Sequence, residues 1–99
     1  MYARFGTVHV KEGKLDEFVT TFRDSMVPPA RAQKGFKGVS VLADHENGTV
    51  VLISLWKSEA DARAMATTNA AISAQADKIK ELVVAMPDVQ YLEVMLQEQ

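Results

Sequence analysis

A few side chains carry whatever chemistry this chain can offer. Arg4 and His9 lie in YARFGTVHV (residues 2–10), Ser54 and Trp56 in TVVLISLW (residues 49–56), and Asn69 closes a Thr-Thr-Asn break (67–69) in an alanine-rich stretch. An arginine can hold a phenolate or carboxylate through charge-assisted hydrogen bonds, and a hydroxyl or amide can orient a ligand's polar atom. An indole adds an apolar wall with one N–H donor. Phe22, Met26, Met65 and Ile72 sit at helical spacing on apolar faces and can line a cavity. Such a set suits a small, largely apolar aromatic ligand.

Each of these residues also has an ordinary structural use. A strand-end Trp can pack on the next helix, a lone strand serine bonds backbone or water, and a strand-end Arg is commonly solvated. Phe and Met stripes serve as core, and Asn69 is better placed to cap a helix than to reach a ligand. Ser54, Arg4 and Trp56 share one strand parity and are read together as pocket residues. His9 has the opposite parity, so it reads as a rim or interface residue although imidazole is the natural proton acceptor near neutral pH. His45 falls in a turn, and no residue is assigned as the base.

Other chemistries find no support. There is no cysteine, and the chain has only two histidines, so disulfides, thiolate nucleophiles and zinc-thiolate sites are excluded. GVSVL around Ser40 lacks the second glycine of a nucleophile elbow and lies within a strand, and no Gly-rich phosphate loop occurs. The 99 residues are 47% apolar and 24% charged with a net charge of -2, which argues against nucleic acid. The apolar runs VVLISLW and LVVAM are far below the roughly 20 residues of a membrane span. With no signal-like N-terminus, the expectation is a single cytoplasmic domain over residues 1–99 with no membrane partner.

The elements that must position these residues follow from periodicity. Residues 2–10 are β-branched and aromatic and read as a first strand. Leu15, Phe18, Val19, Phe22 and Met26 then recur on one helical face; Pro28 and Pro29 oppose simple continuation, with ARAQ able to add a turn before Gly35. FKGVSVLAD and TVVLISLW, joined through Asn47-Gly48, read as an antiparallel hairpin. Ser58 and Asp61 resemble a capping box opening a short helix. A second amphipathic stretch carries Ile72, Ala76, Ile79, Leu82, Val83 and Met86 up to Pro87, and VQYLEVML (89–96) reads as the last strand. The order is βαββαβ, a ferredoxin-like α+β arrangement of four antiparallel strands with helices on one face. In TVVLISLW both parities are apolar, Val51, Ile53 and Leu55 on one and Val50, Leu52 and Trp56 on the other. Helices can cover only one face, so a second copy of the chain is expected to cover the other.

With that topology, VHVKEGKLDEF, ARAQKGFKGVSVLAD and ISLWKSEADARA together resemble the antibiotic biosynthesis monooxygenase family of dimeric α/β-barrel proteins. The resemblance covers nearly the whole chain and rests on the Lys-Glu-Gly-Lys entry to the first helix, the Lys-Gly-Phe turn and the strand-ending Trp before Ser-Glu-Ala. It implies a homodimer, a small-molecule pocket between sheet and helices, and a cofactor-independent monooxygenase acting on an aromatic or polyketide-like substrate. The alternative is a non-catalytic dimeric binding or structural module of the same fold. Two family positions differ here. The helix histidine of many members is replaced by Ala66, and the polar first-strand residue of the haem-degrading branch by Gly6, which removes a proximal ligand and a polar partner for bound oxygen. The expectation is therefore no haem, no intrinsic metal and no other cofactor.

Overall fold

The computed structural model describes residues 1–67, 77–85 and 88–98, without the side chains of 65–67. Its elements are β1 (Tyr2–His9), α1 (Leu15–Ser25), α2 (Val27–Arg31), β2 (Phe36–Asp44), β3 (Thr49–Trp56), α3 (Glu59–Thr67) and β4 (Asp88–Glu93). The strands form one antiparallel sheet in the order β2-β3-β1-β4, the ferredoxin-like arrangement.

The β2–β3 hairpin forms where the local chemistry demands it. Gly48 takes a positive φ of 67°, which a glycine adopts without steric cost. The Asp44 carboxylate accepts hydrogen bonds from the Glu46 N–H, the Asn47 N–H and, at 2.8 Å, Asn47 Nδ2. The Asn47 side-chain bond, followed by the backbone bonds, holds the Asp44 carboxyl below its ordinary value. The sheet register then stacks residues in cross-strand rows. Val39, Ser54, Arg4 and Tyr91 make one row, and Phe36, Trp56, Tyr2 and Glu93 make the row beside it.

Helix α1 begins with Asp16 and Glu17 in its first turn and carries Arg23 in its last, the charge order that suits the helix dipole. Its Phe18 and Phe22 are buried and their rings stack at 6.2 Å. The chain does not leave the helical direction at the prolines. It bends at Met26 and continues as α2, with the prolines in the first turn of the new helix, where a missing N–H costs nothing. Phe22, Met26 and Ala30 thereby face Val8, Val50 and Trp56 across one core.

Gly35 closes the turn from α2 into β2 at φ +82°, and a Cβ there would collide with the Asp61 side chain on α3. Its carbonyl accepts the Lys57 N–H at 2.8 Å, so the position cannot drift without breaking the strand's end. Gly35→Ala is expected to lower stability by about 1–2 kcal/mol for the backbone conformation alone, with the clash added. The thermal midpoint should fall by about 4–8 °C per kcal/mol for a domain of this size. An unchanged midpoint would show that Asp61 swings aside freely.

Two predicted elements end earlier than their patterns. The amphipathic stretch reaching Met86 is helical at 77–80, but Leu82 and Val83 leave the helix. Val83 bridges Val10, the Leu82 carbonyl takes the Lys11 N–H and the Val84 N–H reaches the His9 carbonyl, so both apolar residues are buried where a turn after the helix docks on the end of β1. Residues 68–76, including the Thr68 and Asn69 part of the break and Ile72, lie outside the described residues. The last strand stops at Glu93 rather than at residue 96, its pairing with β1 running from Thr7 opposite Asp88 to Tyr2 opposite Glu93. The Val94 N–H reaches the Met1 carbonyl, and Met95 and Leu96 are more than four-fifths exposed.

The face turned from the helices carries Phe5, Val51, Ile53 and Leu55, all half-buried, with Leu42 and Leu92 exposed beside them. Among the described residues no helix is long and apolar enough to cross a membrane.

Candidate functional site

A small cavity lies between the sheet and the bent helix. Its floor is formed by Arg4, Val39, Leu52 and Ser54, which the strand register brings side by side on the helix-facing surface. Its roof is Phe22, Met26, Val27 and Ala30, and it encloses about 10 Å³, space for about one water molecule. An aromatic ligand requires a wall to move.

Ser54 and Trp56 form a fixed pair beside this cavity. The indole Nε1–H of Trp56 donates to Ser54 Oγ at 2.9 Å, and both residues are buried, Trp56 completely. The ring is further held by Phe36, edge to face at 5.6 Å. Trp56 does not line the cavity, so its N–H acts through the serine. Ser54 Oγ spends one lone pair on the indole and keeps its own proton to donate.

Arg4 sits directly across β1–β3 from Ser54, with Tyr91 on its other side. Its Nε is buried and has no hydrogen-bond partner among the described residues. A charged donor left in this state costs about 1–3 kcal/mol or more, and an oxyanion or a water in the cavity offsets that cost. The arrangement is a cationic donor and a hydroxyl donor on one floor under an apolar roof, suited to a ligand with an apolar ring and one anionic oxygen.

Of the residues singled out from the pattern, the structure brings Arg4, Ser54 and Phe22 together at the cavity, with Trp56 behind Ser54. The Met65 side chain and all of Asn69 and Ile72 lie outside the described residues. His9 is exposed on the opposite sheet face, where its Nδ1 lies 3.2 Å from Thr49 Oγ1. Gly6 is buried between Leu52 and Val89. Val27, Ala30, Val39 and Leu52 were not anticipated as lining. The parity of β2 and β3 contained the signal for Val39 and Leu52, whereas Val27 and Ala30 depend on the bend at Met26.

On α3, Glu59 pairs with Arg63 at 2.8 Å, and the Arg63 guanidinium lies 4.3 Å from the centre of the Tyr91 ring. The Glu59 charge, followed by burial and Glu93, raises the Tyr2 phenol above its ordinary value, so Tyr2 stays protonated as a donor. No group of three or more metal-ligating side chains occurs among the described residues.

Comparison with known proteins bears on the family and the fold. The family model for antibiotic biosynthesis monooxygenases matches residues 1–77. Uncharacterized proteins from two strains of Mycobacterium tuberculosis are 27% identical over 94 residues, which is 95% of this chain and 41% of theirs. The chain thus spans about two-fifths of the length of these curated relatives. A Bordetella bronchiseptica structure assigned to the antibiotic biosynthesis monooxygenases superposes with a TM-score of 0.81 at 17% identity, covering 96% of this chain and 97% of the other. SnoaB, a cofactor-independent oxygenase from Streptomyces nogalater, superposes with a TM-score of 0.79 at 15% identity, covering 97% and 95%. At these identities the superpositions establish the shared fold.

Proposed function

Because this chain belongs to the antibiotic biosynthesis monooxygenase family, we propose that it is a homodimeric, cofactor-independent oxygenase whose cavity binds a small aromatic or polyketide-like molecule. The observation that carries this reading is the buried, unpartnered Arg4 Nε on the floor of an apolar cavity, beside Ser54. The likeness of the fold to that of SnoaB, itself a cofactor-independent oxygenase, supports it. The absence of cysteine suits a reducing, cytoplasmic setting.

The chemistry asks little of the protein. An anthrone or hydroquinone loses an acidic proton, and the electron-rich anion reduces dioxygen directly. In the anthrone case one oxygen atom is retained on the ring carbon as the new carbonyl and the other leaves as water, so electrons and atoms balance without a further reductant. The site contributes a water-poor pocket and stabilisation of the anion. Arg4 would hold the developing oxyanion, the Ser54 hydroxyl would orient it, and Trp56 would fix Ser54 in place as a positioning residue. Phe22, Met26 and Leu52 would pack the ring.

The apolar sheet face bearing Phe5, Val51, Ile53 and Leu55 would be covered by the same face of a second copy around a twofold axis. The volume of about 10 Å³ favours the alternative of a non-catalytic binding or structural module to the extent that the roof stays shut. Oxygen uptake separates the two. With hydroxyanthrones and hydroquinones under cofactor-free conditions, wild type is expected to exceed the uncatalysed rate, and Arg4→Ala to lose about 10²–10³ of that acceleration, as removal of one oxyanion donor does elsewhere. Trp56→Phe should show a smaller loss. A wild-type rate equal to the background, or an Arg4→Ala variant equal to wild type, replaces the oxygenase with the binding module.

A further inference from the structure

The roof of the cavity has two working sides. Phe22, Met26 and Ala30 repeat along its inner surface, while Arg23, Val27 and Arg31 repeat one residue later and, with Pro28 and Ala32, line an open basin of about 490 Å³ on the outside. Val27 borders both spaces, so basin and cavity adjoin at this side chain. The two arginines stand one helical turn to either side of Val27, about 6 Å away along the axis at the α-helical rise. Arg23 holds Asp24 through its Nε at 3.0 Å, whereas Arg31 is exposed and has no ion pair among the described residues.

The same segment is the natural part of the wall to move. Pro28 and Pro29 lack the N–H groups that would bond the carbonyls of Asp24 and Ser25, so the α1–α2 junction is short of two helical hydrogen bonds. Bonds within and beside α2, such as Ala30 N–H to the Met26 carbonyl at 3.1 Å and Ala32 N–H to the Pro28 carbonyl at 3.2 Å, can be kept while it shifts as a unit.

The geometry points to this basin as the entrance to the cavity, selecting ligands that carry a carboxylate on an apolar aromatic body. Arg31, with Arg23, holds the carboxylate while the ring passes Val27 toward Arg4. The inference rests on the ligand-binding reading of the cavity and adds a substrate class to it.

Calorimetric titration of the intact protein with naphthalene-2-carboxylate and with its neutral carboxamide tests it. Wild type is expected to bind the carboxylate about fivefold to tenfold more tightly, the scale of one or two exposed charge pairs. Arg31→Gln should abolish that preference while leaving carboxamide affinity unchanged, and added salt should reduce it in wild type. Arg4→Gln should weaken both probes and keep their ratio. If neither probe binds wild type, the cavity reading fails and this inference with it. If the carboxamide binds and the carboxylate binds no better, or if the preference survives Arg31→Gln and disappears in Arg4→Gln, the entrance is overturned while the cavity stands.

Discussion

Trp56→Ala is expected to lower stability by about 3–5 kcal/mol, the range for removing a large buried aromatic. The ring is fully buried, is held edge-on by Phe36 and occupies the row where β2, β3, β1 and β4 all meet. The loss is a large share of the total, since domains of this size are stable by only about 5–15 kcal/mol. Trp56→Phe keeps most of the apolar volume and removes the Nε1–H donor to Ser54, so its cost should be near that of one net hydrogen bond, about 0.5–1.5 kcal/mol. Denaturant unfolding of the three proteins checks the order. A Trp56→Ala cost below about 1 kcal/mol would mean that the cavity's neighbours collapse into the space and that the Trp–Ser pair is not what positions Ser54.

Val51→Lys is expected to convert a dimer into a monomer. Val51 lies on the helix-free face, paired with Thr7 on one side and Leu42 on the other, and is only half-buried in one chain. If a second copy covers this face, each large aliphatic side chain it buries adds about 1.5–3 kcal/mol. Twofold symmetry introduces the lysine twice, so two ammonium groups must leave water with no partner. Loss of the apolar contacts alone should weaken association by about a hundredfold to ten-thousandfold at 1.4 kcal/mol per factor of ten. Sedimentation equilibrium at micromolar concentration should show a wild-type dimer and a folded Val51→Lys monomer. A wild-type monomer would leave the apolar face uncovered and remove the homodimer from the reading.

Much of the fold was legible because the short-range signals agree with one another. Asn47-Gly48 between two apolar β-rich runs signalled the hairpin, although its loop spans residues 45–48 and Gly48, not Asn47, takes the positive φ, and Ser58 does accept the Asp61 N–H at 3.2 Å, as its spacing from Asp61 suggested. Strand parity was the strongest guide to the site, placing Arg4, Ser54 and Trp56 on one face before any packing was known. Parity does not reveal which polar atom is satisfied by which. The indole N–H is engaged by Ser54, two residues away on the same strand, whereas Arg4 Nε has no partner among the described residues, and neither fact follows from sequence spacing. Leu82 and Val83 fit a helical stripe as well as a buried turn that bridges to the end of β1, and the choice was made by backbone bonds to Lys11 and from Val84 to His9. Pro28 and Pro29 signalled a break, yet prolines are also good first-turn residues, and the result is a bend that becomes the cavity roof.

The most direct test of the central claim, that the Arg4 floor stabilises an oxyanion on an aromatic ring, is an absorbance titration of a bound hydroxyanthraquinone against pH. In wild type the phenol should ionise at a pH lower than in free solution by about one unit or more, the effect of a close opposite charge. In Arg4→Ala the midpoint should return to the free value or rise above it as the apolar walls disfavour the anion. A wild-type midpoint at or above that of the free dye, or a lowered midpoint that persists in Arg4→Ala, would contradict the assignment of Arg4 and with it the proposed chemistry.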